Sequence, residues 1–323
     1  MRLALSKNMK LPAIAAPMFL VSGPEMVIAS CRAGIIGSFP TPNARTGEDL
    51  DNWMAQITGA LAQETNAAPW AANLVVHRSN PRLAEDVACV VKYEAPLVIT
   101  ALGSPKEIVD QIHSYGGLVY ADVNSVRFAR KVVEAGVDGL ILVSAGAGGH
   151  TGQVAGFAFV EEVRKFWDGP IVLAGAISTG HAIRAAEILG ADFAYLGTSL
   201  IPCTESLADP DYKQMVVEAS AEDIVPSNGI TGVTANWMRQ SLIKAGHDPS
   251  NMPEGGTINF TDPQNDSKAW KHVWSAGQGV GAVDQSVPIS QIVDRLKKEY
   301  DAATCKPAFG QAFGASNIAN GEA

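Results

Sequence analysis

The chain has 323 residues, a formal charge of −9 at pH 7, and 31 glycines with 18 prolines. Hydrophobic residues make up 47% of it and charged residues only 18%, which excludes disorder as a global description. The excess of acidic residues argues against a nucleic-acid-binding protein, because such a protein needs a basic face for phosphate contacts. The glycines and prolines are too numerous for a helical bundle and predict many short elements.

Neither secretion, nor membrane insertion, nor a metal site is indicated by the sequence. The four cysteines are far apart and form no CxxC pair. The apolar run at the N-terminus is short and is interrupted by Lys7, Asn8 and Lys10, unlike a signal peptide. The longest apolar runs stop well short of the ~20 residues that a membrane span requires. We therefore expect a cytoplasmic protein without a metal, membrane or nucleic-acid partner.

Short, continuously apolar runs recur along the first 200 residues and predict strands. Continuous rather than alternating apolarity is typical of parallel strands that are covered on both faces. The length fits two domains, or one barrel of about 250 residues with an appendage. The eight runs are Leu11–Met18, Gly34–Phe39, Trp70–Val76, Leu97–Leu102, Leu118–Val123, Gly139–Ala145, Ile171–Ile177 and Phe193–Leu200.

Stretches with helical apolar spacing lie between most of these runs. Ser104, Ser125 and Thr179 are candidate N-caps, and Gly136 and Gly190 are candidate C-cap glycines. Eight strand–helix units predict a (β/α)₈ barrel, with a doubly wound open sheet as the alternative. The predicted helices are Asn80–Tyr93, Ser104–Tyr115, Ser125–Ala135, Phe157–Trp167 and Thr179–Leu189.

The strand–helix pattern stops after Leu200. Helices are predicted around Tyr212–Ala219 and Asn236–Ala245, followed by a polar stretch from Gly246 to Lys268. A final helix, Ile289–Ala302, would close the barrel. An insertion after the last strand lies on the catalytic face of a barrel and commonly forms a lid or substrate wall. The predicted division is a barrel over 10–200 and 286–303, a small, mainly helical insertion over 201–285, and a tail over 304–323.

Small residues follow the seventh and eighth predicted strands. Gly175 and Ala176 follow one, and Gly197 and Thr198 follow the other, with no Lys or Arg in either loop. At the C-terminal face of a barrel, such loops let backbone N–H groups approach a phosphate. The alternative is that these glycines only form tight turns.

His150 ends a loop that carries four glycines between Gly146 and Gly152. Such a loop allows close approach of a ligand to an imidazole that can titrate near neutral pH. The alternative is a histidine that bonds only within its own loop. The sequence has no HExxH, GxSxG or Walker A motif, so a phosphorylated cofactor is expected to carry the reaction.

In their order along the chain, four motifs resemble those of the nitronate monooxygenases, formerly called 2-nitropropane dioxygenases. The resemblance runs from about residue 10 to residue 300 and implies a (β/α)₈ barrel with one non-covalent FMN. It implies a small-molecule nitronate that reacts with O₂ to give a carbonyl compound and nitrite, without a nicotinamide cofactor. The motifs are Ala16-Pro17-Met18, the loop 147–152, the pairs Gly175-Ala176 and Gly197-Thr198, and the segment 274–279.

The resemblance also implies roles for individual residues. His150 matches the histidine that orients or deprotonates the substrate beside the flavin. The ends of the first and third strands would contact the flavin ring, and the two small-residue pairs would hold its phosphate. The implied flavin contacts are Pro17, Met18, Asn73, Asp122, Gly148, Gly149, Gly175, Ala176, Gly197, Thr198 and Gln278.

Two departures from the family pattern bear on the substrate. Ala176 replaces the second glycine of the usual Gly-Gly pair, and Asp122 stands where some members place a lysine. The same scaffold resembles FMN-dependent enoyl-acyl-carrier-protein reductases and NAD(P)H:quinone reductases, which share the glycine–histidine loop. A barrel of this kind could also be a phosphate-sugar isomerase or aldolase without flavin, or a non-catalytic binder of flavin or phosphate. A homodimer is the oligomeric state that we consider for this chain.

Overall fold

A computed structural model describes residues 5–6, 8–255 and 271–307. Eight parallel strands follow one another around a barrel, and a short antiparallel sheet joins three further strands. The barrel strands are β1 (Ala13–Ala15), β2 (Gly37–Pro40), β3 (Trp70–Val75), β4 (Leu97–Ala101), β5 (Leu118–Val123), β6 (Gly139–Val143), β8 (Ile171–Ala174) and β9 (Phe193–Leu196). The antiparallel sheet contains β7 (Gly149–His150), β10 (Ile224–Ser227) and β11 (Ala235–Met238).

The sheet closes between its first two strands. Ile14 and Ile36 form a parallel bridge there, with the N–H of Ala15 donating to Ile36 O at 2.8 Å. The N–H of Ile36 in turn donates to Ala13 O at 3.1 Å. This bonding distinguishes a closed barrel from an open sheet and confirms the predicted (β/α)₈ barrel.

Helices cover the outside of the barrel, and one of them is capped at both ends by predicted residues. The Thr179 hydroxyl accepts from the N–H of Ala182 at 3.1 Å, and Gly190 ends the same helix with φ of +114°. The helices are α1 (Pro24–Ala33), α2 (Gly47–Leu61), α3 (Leu83–Lys92), α4 (Val109–His113), α5 (Val126–Glu134), α6 (Gly156–Arg164), α7 (Gly180–Leu189), α8 (Pro210–Glu218), α9 (Arg239–Lys244) and α10 (Ile289–Thr304).

Two buried layers result from this arrangement. Inward-facing side chains such as Ile14, Ile99 and Ile141 fill the barrel, while outward-facing ones pack under the helices. The predicted final helix is α10, which packs against α7 and α1 and so completes the helical ring. Within the described ranges, none of the helices is long and apolar enough to cross a membrane.

The insertion after β9 contains two strands, β10 and β11, that the sequence analysis did not predict. The helix predicted around Asn236–Ala245 begins only at Arg239, because residues 235–238 pair as a strand with β10 and β7. Residues 256–270 of the polar stretch, and residues 308–323 of the predicted tail, lie outside the described residues. The division into barrel, insertion and tail remains a prediction.

Candidate active site at the C-terminal end of the barrel

The turn after β8 has an unusual backbone that glycine permits. Gly175 has φ of +124° and Ala176 has φ of +57°. The N–H of Ala176 donates to Gly146 O at 3.1 Å, and the N–H of Gln278 donates to the same oxygen at 3.0 Å. Gly146 therefore joins this turn to the segment near Gln278, and the Ala176 N–H is bonded within the protein rather than directed only at a ligand.

The turn after β9 lies against the same segment. The N–H of Gly277 donates to the Thr198 hydroxyl at 2.8 Å in a buried position. A Cβ atom added at Gly197 would meet only Met18 Sδ at 3.6 Å and Ala16 Cβ at 3.7 Å, which are ordinary contacts. These distances bring Met18, Gly197, Thr198 and Gln278 to one side of the barrel mouth.

The loop that follows Met18 is fixed by an asparagine that the sequence analysis missed. Asn43 donates from Nδ2 to Met18 O at 3.0 Å, and its Oδ1 accepts from the N–H of Leu20 at 2.9 Å. Leu20 has φ of +59°, a conformation that this bond stabilises. Pro17 and Met18 are half-buried at the start of this loop. No local sequence pattern marks Asn43, since its partners lie in another strand–helix unit.

The glycine–histidine loop approaches the segment before Gln278. A Cβ atom added at Gly148 would lie 2.7 Å from the N–H nitrogen of Gly277, so only glycine fits there. Gly149 has φ of +66° and forms the two-residue strand β7 with His150. His150 is half-buried, and burial lowers its pKa from 6.5 to about 4. Its imidazole is therefore neutral at physiological pH.

Polar side chains on the barrel strands lie below these loops. Asn73 is buried and donates from Nδ2 to Ile99 O at 3.1 Å. Asp122 has one buried oxygen, Oδ1, without a hydrogen-bond partner among the described residues, and burial raises its pKa to about 7. Tyr195 is buried on β9, and its pKa is raised well above its usual value, first by burial and second by the nearby charge of Asp122. Sequence reasoning missed Tyr195 because it resembles one more apolar strand position.

The structure thus links most of the expected residues by contacts, while two stand apart. Asn73 and Asp122 face inward from β3 and β5, below the loops rather than bonded to them. A second missed asparagine is Asn236, which donates from the insertion to the loop that carries His150. The linked residues are Met18, Gly148, Gly175, Ala176, Gly197, Thr198 and Gln278, with Pro17, Gly149 and His150 beside them in the chain.

Known proteins match the chain at the level of fold and family. Among solved structures, a nitroalkane oxidase from Streptomyces ansochromogenes superposes with a TM-score of 0.79 at 22% identity, covering 93% of this chain and 99% of that one. FabK from Thermotoga maritima gives a TM-score of 0.76 at 23% identity, covering 94% and 96%. At these identities, the likenesses show the fold alone.

Proteins related in sequence identify the family as well as the fold. A nitronate monooxygenase of Paraburkholderia phytofirmans is 26% identical over 338 residues, which cover 89% of this chain and 92% of that protein. A Mycobacterium tuberculosis relative with a monooxygenase name is 32% identical over 179 residues, but that match covers 53% of this chain and only 48% of the relative. The family model described as nitronate monooxygenase matches residues 63–299. Because that match spans well over half of the chain, the chain belongs to the nitronate monooxygenase family of oxidoreductases.

Proposed function

We propose that this chain is an FMN-dependent nitronate monooxygenase, which converts an alkyl nitronate and O₂ to a carbonyl compound and nitrite. The observation that carries the proposal is a half-buried, neutral His150 in a glycine loop that contacts the segment before Gln278. Membership of the family supports the same reaction. The other described residues of the site offer no activated nucleophile, so the redox chemistry falls to a cofactor.

The site fits a flavin in two respects. Small residues form both turns assigned to the phosphate, and a Cβ atom added at Gly197 would make only ordinary contacts, with Met18 and Ala16. Below them, Asp122 Oδ1 and the Tyr195 hydroxyl are buried polar atoms without hydrogen-bond partners among the described residues. Buried polar groups in proteins are normally bonded, so unpaired ones at a site suggest a missing partner.

The residues divide between two tasks in holding FMN. We assign the phosphate to backbone groups of the turns at Gly175–Ala176 and Gly197–Thr198 other than the Ala176 N–H, which Gly146 O already accepts. The sequence supplies no Lys or Arg in these turns. The ring would rest on Pro17, Met18 and Asn73, beside Gly148 and Gly149. Asp122 would lie near the ring as a carboxyl that is largely uncharged only below neutral pH, since burial raises its pKa to about 7. Gln278 would lie near the substrate edge of the ring.

The chemistry of the substrate depends on His150. When bound, the flavin supplies the electron transfer that no side chain of the site can perform. A neutral imidazole has one N–H donor and one acceptor nitrogen. The N–H can donate to a nitronate oxygen and orient the anion, and the acceptor nitrogen can take the α-proton of a neutral nitroalkane. Positioned proton transfer of this kind contributes typically 10²–10⁴-fold.

O₂ is the co-substrate, and a cytoplasmic homodimer is the proposed state. The four cysteines are all free thiols, at Cys31, Cys89, Cys203 and Cys305, and free thiols suit a reducing compartment.

An absorbance spectrum of the purified protein tests the cofactor, and anaerobic mixing tests the substrate. We expect a yellow protein whose flavin band bleaches with propyl-2-nitronate but not with NADH or NADPH, and nitrite formation once oxygen is admitted. A protein that stays colourless after FMN is added would overturn the cofactor assignment. Rapid bleaching by NADH with no response to the nitronate would instead identify the quinone or enoyl reductase activity.

A further inference from the structure

The insertion reaches the catalytic loop through main-chain pairing. In the antiparallel sheet, Ala235 of β11 lies opposite His150, and Asn236 lies opposite Gly149. One residue further along, the N–H of Thr151 donates to Thr234 O at 3.0 Å. His150 therefore lies on a two-residue strand whose only neighbour in the sheet, within the described ranges, is β11 of the insertion.

A single buried side chain adds to this pairing. Asn236 is 1% exposed, and its Nδ2 donates to Ala147 O at 2.7 Å and to Ala145 O at 3.0 Å. The same nitrogen lies 3.5 Å from the Thr151 hydroxyl, which itself donates to Ser144 O at 2.9 Å. An amide nitrogen carries two hydrogens, so two carbonyl acceptors match it fully. The pair of acceptors also fixes which end of the amide faces the loop.

The loop needs such an external anchor. It contains four glycines between Gly146 and Gly152, and each glycine loses more conformational freedom on ordering than any other residue. The Asn236 amide bonds the loop on the N-terminal side of His150, and on the C-terminal side the N–H of Thr151 donates to Thr234 O. The histidine is thus confined between two points that the insertion holds.

The geometry points to Asn236 as a positioning residue that fixes His150 in its working orientation. This inference rests on the proposed function for the role of His150, but not for the bonds themselves. Without the amide, two buried carbonyl oxygens lose their donor, and the loop relaxes. Small misplacement of a reacting group costs up to about 10²-fold in rate. The Asn236 side chain bonds Ala145 and Ala147 and not the turns assigned to the phosphate, so the variants are expected to keep most of their FMN affinity.

Variants Asn236→Ala and Asn236→Asp test this role in the FMN-loaded protein. The first removes the donors, and the second keeps the volume but turns oxygen toward the two carbonyls. We expect kcat for propyl-2-nitronate, at saturating FMN, to fall about 10- to 100-fold in both. The FMN dissociation constant is expected to rise by a smaller factor than kcat falls. The imidazole NMR signal of His150, assigned with His150→Gln, is expected to shift and broaden. Asn228→Asp is the control, because Asn228 is exposed in the same insertion and bonds only Gly255 and Gly232 among the described residues.

Three results would overturn the inference. One is an unchanged kcat in both variants, and another is an unchanged His150 signal. The third is a loss of FMN affinity and unfolding midpoint that accounts for the whole loss of rate, which would make Asn236 a structural residue only. If the wild-type protein does not turn over nitronate, the proposed function fails, yet the NMR comparison of wild type with Asn236→Asp still decides whether Asn236 orients His150.

Discussion

The Thr198 hydroxyl accepts a hydrogen bond from the N–H of Gly277 at 2.8 Å. This bond joins the exit of the last barrel strand to the last part of the insertion, and Gly146 O accepts from the N–H of Gln278 in the same segment. The candidate phosphate site and the His150 loop are therefore joined by hydrogen bonds to one segment.

His150 is expected to be essential for turnover and dispensable for flavin binding. His150→Gln should lower kcat by roughly 10²–10⁴-fold while the protein stays yellow. Because burial lowers the pKa of His150 to about 4, its neutral form persists from pH 8 down to pH 5 and is lost only as the pH falls further. A pH–rate profile of the wild type should show no limb near the ordinary histidine pKa. A limb near pH 6.5 that disappears in His150→Gln would contradict this.

Much of the fold follows from local patterns in the sequence. The barrel strands are mostly apolar because both of their faces are buried, and the run Leu118–Val123 matches the observed strand residue for residue. The His150 loop stands out for the same local reason, since a histidine among glycines is rare in a core. Both features depend on neighbours in sequence, and sequence reasoning reaches them.

The rest of the site depends on partners that are distant in sequence. Residues 235–238 carry apolar spacing that also fits a helix, and they form a strand only because β10 and β7 pair with them. The role of Asn236 arises from that pairing, as its carbonyl partners lie at Ala145 and Ala147. Likewise, the Ala176 N–H is predicted to be available for a phosphate, but Gly146 O already accepts it. Whether a backbone N–H bonds to the protein or to a ligand depends on the folded structure, and no local sequence pattern indicates it.

A methyl group at Gly197 should separate ligand binding from folding. The added carbon would meet only ordinary contacts in the protein, so Gly197→Ala should unfold like the wild type. If FMN occupies this side of the barrel, the methyl group crowds it. Overpacking costs about 1–3 kcal/mol, and each 1.4 kcal/mol is tenfold, so the FMN dissociation constant should rise roughly tenfold to a hundredfold. Fluorescence titration of flavin-depleted protein measures this.

Gly59→Ala is the matched control for that titration. Gly59 is exposed on α2, and an added Cβ would meet nothing within 4 Å. Its FMN affinity should equal that of the wild type. Equal affinities for Gly197→Ala and Gly59→Ala would remove Gly197 from the flavin site.

Alanine at Gly175 should destabilise the fold itself. Its φ of +124° is unfavourable for any side chain, and the added Cβ would lie 2.1 Å from Ser144 Oγ. That hydroxyl would have to leave Ala174 O, to which it donates at 2.7 Å. Strained backbone and one lost buried bond together cost about 2–4 kcal/mol. Chemical denaturation measures the change.

The control for Gly175 isolates the backbone contribution. Gly116 has φ of +86°, and an added Cβ would meet nothing within 4 Å, so Gly116→Ala carries the conformational cost alone, about 1–2 kcal/mol. A loss of stability in Gly175→Ala no greater than in Gly116→Ala would show that the contact with Ser144 relaxes without cost.

Asp122 should make the flavin-free protein less stable as the pH rises. Its folded-state pKa is raised by burial from 3.8 to about 7, so between these values the folded state holds a proton that the unfolded state has released. Stability from this group is present below pH 3.8 and is lost as the pH rises through 7. Tyr195, the titratable group that faces it, has a pKa raised well above its usual value and stays neutral throughout. The neighbouring strands β4 and β6 carry no titratable side chain.

Asp122→Asn tests this dependence because an amide stays uncharged at every pH. The stability of the variant relative to the wild type should rise between pH 5 and pH 8, by an amount on the order of a few kcal/mol at most. His150 contributes an opposite slope between pH 4 and 6.5, but it is present in both proteins and cancels in the difference. Asp284→Asn, at an exposed aspartate, is the control and should track the wild type. The difference in stability between Asp122→Asn and the wild type could instead stay constant from pH 5 to pH 8. That result would mean that Asp122 titrates outside this range, and it would contradict the proposal of an uncharged carboxyl in the flavin site.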